Sequence, residues 1–266
     1  MKRIGKHYNK LVKKFHKIEA ETTENEIHDK RVILRRVFPI LRFYKINPSK
    51  VKYGELAFEL FGKLRDVQVQ ILKLEKMEHP QEWIEYLQHL KELELKYIKK
   101  VTRFSKKKVV EFPSLKSNKV NTSKIDKKVH SKVENNLNKL IAKTQIPTLE
   151  KAEDIHKIRI AFKKFRYTVE VLSYIEEIDA DKLEKLKTYQ DELGEIQDCE
   201  VLINGITRFY REKALIIDEK TTVFEVEKDQ RIEHFRNEKE NFIEVCKDII
   251  NQNHITLTDD YEQERH

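Results

Sequence analysis

The side chains of this sequence best suited to holding an anion are histidines, arginines and lysines that recur in the same order at two places. The first is Ile27 to Tyr44. Wound into a helix at about 100° per residue, His28, Arg31, Arg35 and Arg42 fall inside a wedge roughly 60° wide and form one stripe. In the second, residues 155–169, His156, Arg159, Lys163 and Lys164 each stand 128 positions after His28, Arg31, Arg35 and Arg36, and Arg166 adds a cation near the stripe. Arginine offers a rigid fork of donors to phosphate oxygens, and lysine a mobile point charge. Crowding such groups in a partly desolvated place is unfavourable until an anion neutralises them, and it disfavours the charged form of a histidine among them. Phosphate binding is the chemistry these residues suit.

Histidines can also bind metal or accept a phosphoryl group. Neither His28 nor His156 has a cysteine at ligand spacing within its own helix, so no catalytic residue and no metal or other cofactor is expected.

The stripes need helices to carry them. Ile33, Leu34, Val37, Ile40, Leu41 and Tyr44 form an apolar face beside the first, so its cations border the core side and suit the lining of a groove. A second motif follows each stripe: Gly62-Lys63-Leu64-Arg65-Asp66 and Gly194-Glu195-Ile196-Gln197-Asp198, with glycines and aspartates 132 positions apart. Two motifs repeated in one order predict an internal duplication. Gly62 lies mid-helix, where glycine costs about 0.5–1 kcal/mol relative to alanine, so a close helix contact is the expected compensation.

The 266 residues suit one domain of two similar halves, about 23–145 and 148–252, joined through a basic irregular segment at about 102–123. With 5 glycines and 5 prolines, the chain lacks the turn residues of β architectures, and an all-α fold follows. A formal charge of +8 is modest, so a polyanion site must come from clustering. Cys199 and Cys246 stand alone, which argues against a zinc site or disulfide framework and fits a reducing compartment. No apolar run approaches the ~18 residues of a membrane span, and no signal-peptide segment follows the basic first residues. A cytoplasmic protein without membrane attachment is expected.

Along the chain, Ile4, Tyr8, Leu11, Val12, Phe15 and Ile18 among seven cations predict a basic amphipathic helix docked on its neighbours rather than on a membrane surface. Thr23 and Glu26 predict a capping box, Pro39 a kink or break near residues 35–39, and Asn47-Pro48-Ser49 a stop and restart. Leu56, Leu60, Leu64, Val67, Ile71 and Leu74 are the expected buried face of the next helix. His79-Pro80 marks a turn before a helix through Trp83, Leu87, Leu90, Leu93, Tyr97 and Val101. That helix contains Glu92-Leu93-Glu94-Leu95-Lys96, the E-x-E-x-K pattern of triphosphate tunnel enzymes. Helical winding splays its glutamates about 200° apart, so it is not expected to act as it does on a strand. Thr148 is an expected cap, Asp179 to Asp181 an expected helix start, and the polar tail from Asn253 is expected to fray.

His28-x-x-Arg31-x3-Arg35-Arg36 with Gly62-x-x-Arg65-Asp66, then His156-x-x-Arg159-x3-Lys163-Lys164-x-Arg166-Tyr167 with Gly194-x3-Asp198, closely resembles the CHAD family of histidine-bearing α-helical domains. The resemblance runs from about Thr23 to about Gln252. It implies two antiparallel helical bundles related by approximate two-fold symmetry, with a basic central groove or pore, and non-catalytic binding of inorganic polyphosphate. Carried over by position, the contacts are His28, Arg31, Arg35, Arg36, Arg65, His156, Arg159, Lys163, Lys164 and Arg166. Phe38 and Gln197 stand where the family pattern carries arginines, and Arg42 offsets part of the first loss. A single-stranded nucleic-acid binder and a metal-dependent phosphate-handling enzyme remain the alternatives. Aromatics at core spacing tell against the first, and the lack of a general base or metal cage against the second.

Overall fold

Each amphipathic period becomes a helix, and no strand occurs among the described residues, which in this computed structural model are 2–18, 23–113, 115, 122–145, 152–213 and 221–252. In chain order the helices are α1 (Lys2–Lys17), α2 (Glu24–Phe43), α3 (Lys52–Glu75), α4 (Ile84–Lys107), α5 (Thr122–Thr144), α6 (Ala152–Leu172), α7 (Ala180–Glu212) and α8 (Thr222–Gln252). Short 3-10 turns, Pro48–Val51 and Pro80–Trp83, precede α3 and α4. No helix among the described residues is long and apolar enough to cross a membrane.

Local chemistry sets the ends. Thr23 and Glu26 form the capping box that starts α2, each side chain taking the other's backbone N–H. Asn47 Oδ1 accepts from Ser49 N–H at 3.0 Å before α3, and Asp179 Oδ1 accepts from Asp181 N–H at 2.8 Å at the start of α7. Thr148, the connection at 114 and 116–121, and the tail from Asn253 lie outside the described residues.

Three expectations need correction. Pro39 does not break α2, which continues to Phe43; Val37, Ile40 and Leu41 on either side are buried, and their packing holds the helix through the missing donor. Leu56 is exposed, and the buried face of α3 is carried instead by Ala57, Phe61, Leu64, Val67, Ile71 and Leu74. Lys106 and Lys107 are helical, so the irregular connection begins only at Lys108. Buried Val101 anchors the last turns of α4 despite their cations.

The chain forms two compact units. The first comprises Met1–Asn121 and Glu200–Phe224, the second Thr122–Cys199 and Glu225–His266. These are spatial partitions; the halves read from the motifs are partitions of sequence. In the first unit, Val67, Ile71 and Leu74 of α3 pack with Trp83, Tyr86, Leu87 and Leu90, and with Leu202, Ile206 and Phe209 of α7. In α1, Ile4, Tyr8, Leu11 and Phe15 are buried, so this helix is docked by its apolar face as expected.

The second unit has an aromatic centre. Phe242 of α8 meets Phe162 at 4.8 Å, Tyr189 at 5.0 Å and Phe235 at 5.4 Å between ring centroids. Where α5 meets α6, buried Asn136 donates to the Lys164 carbonyl and to Thr168 Oγ1, both at 3.1 Å, so its amide nitrogen is satisfied.

Candidate functional site: two cationic helix pairs

In the first unit the site residues lie on the antiparallel pair α2–α3. Arg31 reaches across the pair: its Nη1 donates to the Phe58 carbonyl at 3.3 Å, and its guanidinium carbon stands 4.9 Å from the centre of the Phe58 ring. That path crosses buried Gly62, where an added Cβ would come 2.5 Å from Arg31 Nη1. The mid-helix glycine thus allows the close approach that its sequence position implied, and the neighbour is the stripe arginine. One turn away, Arg65 Nη1 donates to Glu24 Oε1 from the first turn of α2.

His28 lies on the solvent side of this cluster. Partial burial, followed by the positive charges of Arg65, Arg35 and Arg31, pushes its pKa below the ordinary histidine value, with Asp29 working against the shift. The structure therefore brings His28, Arg31, Arg35 and Arg65 together. Arg36 points elsewhere on α2: with Lys10 it lowers the pKa of His7 on α1, which burial already depresses. Arg42 is exposed and stands on the same helix, roughly 16 Å beyond Arg31 at 1.5 Å per residue. Phe38, where the family pattern has a cation, packs edge-on to Phe58 at 5.8 Å and borders Gly54 of α3, so this position serves packing.

The second unit builds its counterpart on α6 and α7. His156 Nδ1 donates to Gln197 Oε1, and Arg166 Nη1 donates to Gln190 Oε1 at 2.7 Å two turns earlier on α7. Gln197 occupies the same place relative to Gly194 as Arg65 does to Gly62, three residues on, and it meets the histidine directly. Arg159 and Lys163 are half-buried, and Lys164 is exposed. Nothing lies within 4 Å of a Cβ added at Gly194, so here the motif glycine seats no arginine.

Three participants escaped the sequence reading. Glu24 gives no signal beyond an acid in a first turn, Phe58 none beyond an apolar residue, and Gln190 none at all. The Glu92 and Glu94 pair does lie on a helix, and Glu94 Oε1 accepts from Gln68 Nε2 at 3.1 Å. Among the described residues no group of three or more histidine, cysteine, aspartate or glutamate side chains is arranged to hold a metal ion.

Helices alone, with histidine and arginine displayed across antiparallel pairs, define an all-α class of protein equipped to meet anions. The family model of the CHAD domain matches residues 52–204, more than half of the chain, and the chain belongs to that family. The matched span begins at α3 and so leaves α2 and its stripe outside it. The crystal structure of the CHAD domain from the plant Ricinus communis is similar over 93% of this chain and 89% of its own, with a TM-score of 0.52 and 13% sequence identity, a likeness of fold. No curated protein matches the sequence.

Proposed function

We propose that the chain binds inorganic polyphosphate, without turning it over, through its two cationic helix pairs, with His28, Arg31, Arg35 and Arg65 as the strongest contacts of one and His156, Arg159, Lys163 and Arg166 of the other. The observation that carries this reading is the grouping of Arg31, Arg35 and Arg65 about His28, whose pKa is lowered first by partial burial and then by their charges. Such a cluster is stabilised by an anion that bonds several of its members at once, and a polymer of phosphates presents such oxygens in series. Membership of the CHAD family supports the same ligand. The reading extends to a reducing, cytoplasmic setting, supported by the buried, unoxidised thiols of Cys199 and Cys246; burial pushes that of Cys246 up, away from reactivity.

Binding of single-stranded nucleic acid is less favoured, because in the first unit the ring beside the cations, Phe58, already carries the Arg31 guanidinium over one face. The test is a titration with polyphosphate of several lengths at two salt concentrations, for wild type and for Arg31→Ala/Arg159→Ala. Wild type should bind with strong salt dependence, the double variant much more weakly, and polyphosphate should displace single-stranded RNA at equal phosphate concentration. No phosphate should be released with added magnesium or manganese. A double variant that binds like wild type overturns the site assignment.

A further inference from the structure

The outer face of α1 carries charge of a single sign. Arg3, Lys6, Lys10, Lys13, Lys14 and Lys17 are all exposed, and the helix contains no acid. At 100° per residue the six fall within about 100° of the circumference, and from Arg3 to Lys17 they extend over roughly 21 Å. Six cations on one face, of which Lys14 lies 3.6 Å from the Asp29 carboxylate, repel one another unless an anion lies along them.

The opposite face of α1 decides what kind of anion fits. Ile4, Tyr8, Leu11 and Phe15 are buried, Tyr8 Oη donates to the Pro113 carbonyl at 2.7 Å, and Phe15 meets Phe112 edge-on at 5.3 Å. The apolar side that would enter a bilayer is therefore committed to the protein's own core. The free face carries no aromatic platform for bases.

The stripe also has a defined beginning. Lys17 and His28 line one open hollow of about 640 Å³ at the junction of α1 and α2. Two carboxylates share it, and both are engaged: Glu26 accepts from Thr23 N–H and hydroxyl in the capping box, and Asp29 pairs with Lys14. The helices are antiparallel, with Arg36 acting on His7 and Asp29 meeting Lys14. A chain leaving the α2 stripe at His28 meets Lys17 first and Arg3 last.

We propose that the exposed face of α1 is a second binding surface for the same phosphate polymer, continuing the α2 stripe through the Lys17–His28 hollow. The inference rests on the polyphosphate reading above and adds a dependence on chain length. From His28 to Arg42 the α2 stripe covers about 21 Å, so a short chain is satisfied there and only a longer one runs back along α1. The reversal at the hollow selects a thin, flexible polymer.

The experiment compares the full chain with Arg3→Gln/Lys6→Gln/Lys10→Gln/Lys13→Gln, which leaves Lys17 beside His28 intact. These side chains are exposed and glutamine has similar helix propensity, so α1 should stay folded; circular dichroism and a thermal melt check this. Short polyphosphate, no longer than the α2 stripe, should bind the variant within about twofold of wild type, since it reaches no altered contact. Long polyphosphate should bind at least about tenfold more weakly, with the salt slope reduced by roughly 3 for four lost contacts. Unchanged binding of long chains overturns the inference, as does equal loss at both lengths. Binding to phosphatidylserine vesicles that falls in the variant while long-chain binding holds overturns it in favour of a lipid surface. Arg31→Ala/Arg35→Ala is the companion: if it loses both lengths while the α1 variant loses neither, the α2–α3 site stands and the α1 surface falls. If wild type binds neither length, the underlying reading fails and the α1 surface with it.

Discussion

The guanidinium of Arg31 occupies the space that a side chain at Gly62 would fill, with Nη1 2.5 Å from where the Cβ would sit. A glycine that costs helix stability on α3 thereby lets a cation on α2 lie flat across the pair and reach the Phe58 carbonyl.

Gly62→Ala should consequently separate stability from binding. Alanine returns about 0.5–1 kcal/mol of helix propensity. The neighbour it displaces is the far end of a flexible side chain, whose partly buried hydrogen bond contributes about 1 kcal/mol. The two nearly offset, so denaturant unfolding should shift by less than about 1 kcal/mol while polyphosphate affinity falls severalfold. Gly194→Ala is the control. Its Cβ enters open space, so it should stabilise by about 0.5–1 kcal/mol and leave binding unchanged. Equal effects of the two substitutions on affinity would remove Gly62 from the site.

His28 predicts opposite pH dependences for folding and for binding. Its pKa lies below 6.5 in the folded chain, so the unfolded chain takes up the proton first as pH falls. Its contribution to stability is complete above pH 6.5 and is lost as pH falls through the folded value; His7 on α1 has the same sign. A bound polyanion favours the imidazolium, so affinity rises over the same window in which stability falls. Urea unfolding and polyphosphate titration at about pH 7.5 and about pH 5.5, either side of the usual histidine value, should show both trends. Both should be flatter in His28→Gln, and an affinity trend as steep as wild type in that variant would exclude the ring from the binding surface.

How much of this was legible beforehand varies with the distance over which each feature is determined. Capping at Thr23, Asn47 and Asp179 is set within four residues and could be read directly. So could the burial of Ile4, Tyr8, Leu11 and Phe15 on α1, which follows the helical period. The stripe through His28, Arg31 and Arg35 was readable because helical winding alone sets its angles. The absence of a break at Pro39, the exposure of Leu56 and the extent of α4 are set by tertiary packing, which outweighs local propensity at each. Arg36 was grouped with its neighbours by motif, but the helix turns it toward His7, and no pattern within one helix identifies the facing residue on another. The pairings of Arg65 with Glu24 and of His156 with Gln197 were hidden for the same reason.

Gln197→Arg should strengthen binding. In wild type the Gln197 amide oxygen holds His156 by a hydrogen bond, whereas the matching position in the first unit, Arg65, offers a cation. An arginine at 197 exchanges that bond for one more phosphate contact. Affinity should rise severalfold at low salt, and the slope of log affinity against log salt should steepen by about 0.7 if the polymer behaves as single-stranded nucleic acid does. Glu24→Gln should act in the same direction by freeing Arg65 from its carboxylate. Weaker binding in both variants would mean that these pairings orient the site and do not compete with the ligand.

A last prediction concerns a second glycine that holds a neighbour close, away from the cations. Tyr86 of α4 donates its buried hydroxyl to Gln70 Oε1 at 2.8 Å, and a Cβ at Gly205 on α7 would collide with that hydroxyl and come 2.9 Å from Gln70 Oε1. Unlike Arg31, Tyr86 is fixed in the core, between Phe209 at 5.3 Å and the apolar residues of α3 and α4, and has no free end to move. Gly205→Ala should therefore destabilise by about 1–3 kcal/mol through overpacking, despite the better helix propensity of alanine. Tyr86→Phe alone should cost about 1 kcal/mol for the lost hydrogen bond. In the double variant the missing oxygen relieves the main clash, so the combination should be more stable than the sum of the single effects by at least about 0.5 kcal/mol. Strict additivity in denaturant unfolding would show that α7 accommodates the methyl group by moving away from α4, and that the glycine is not what sets their separation.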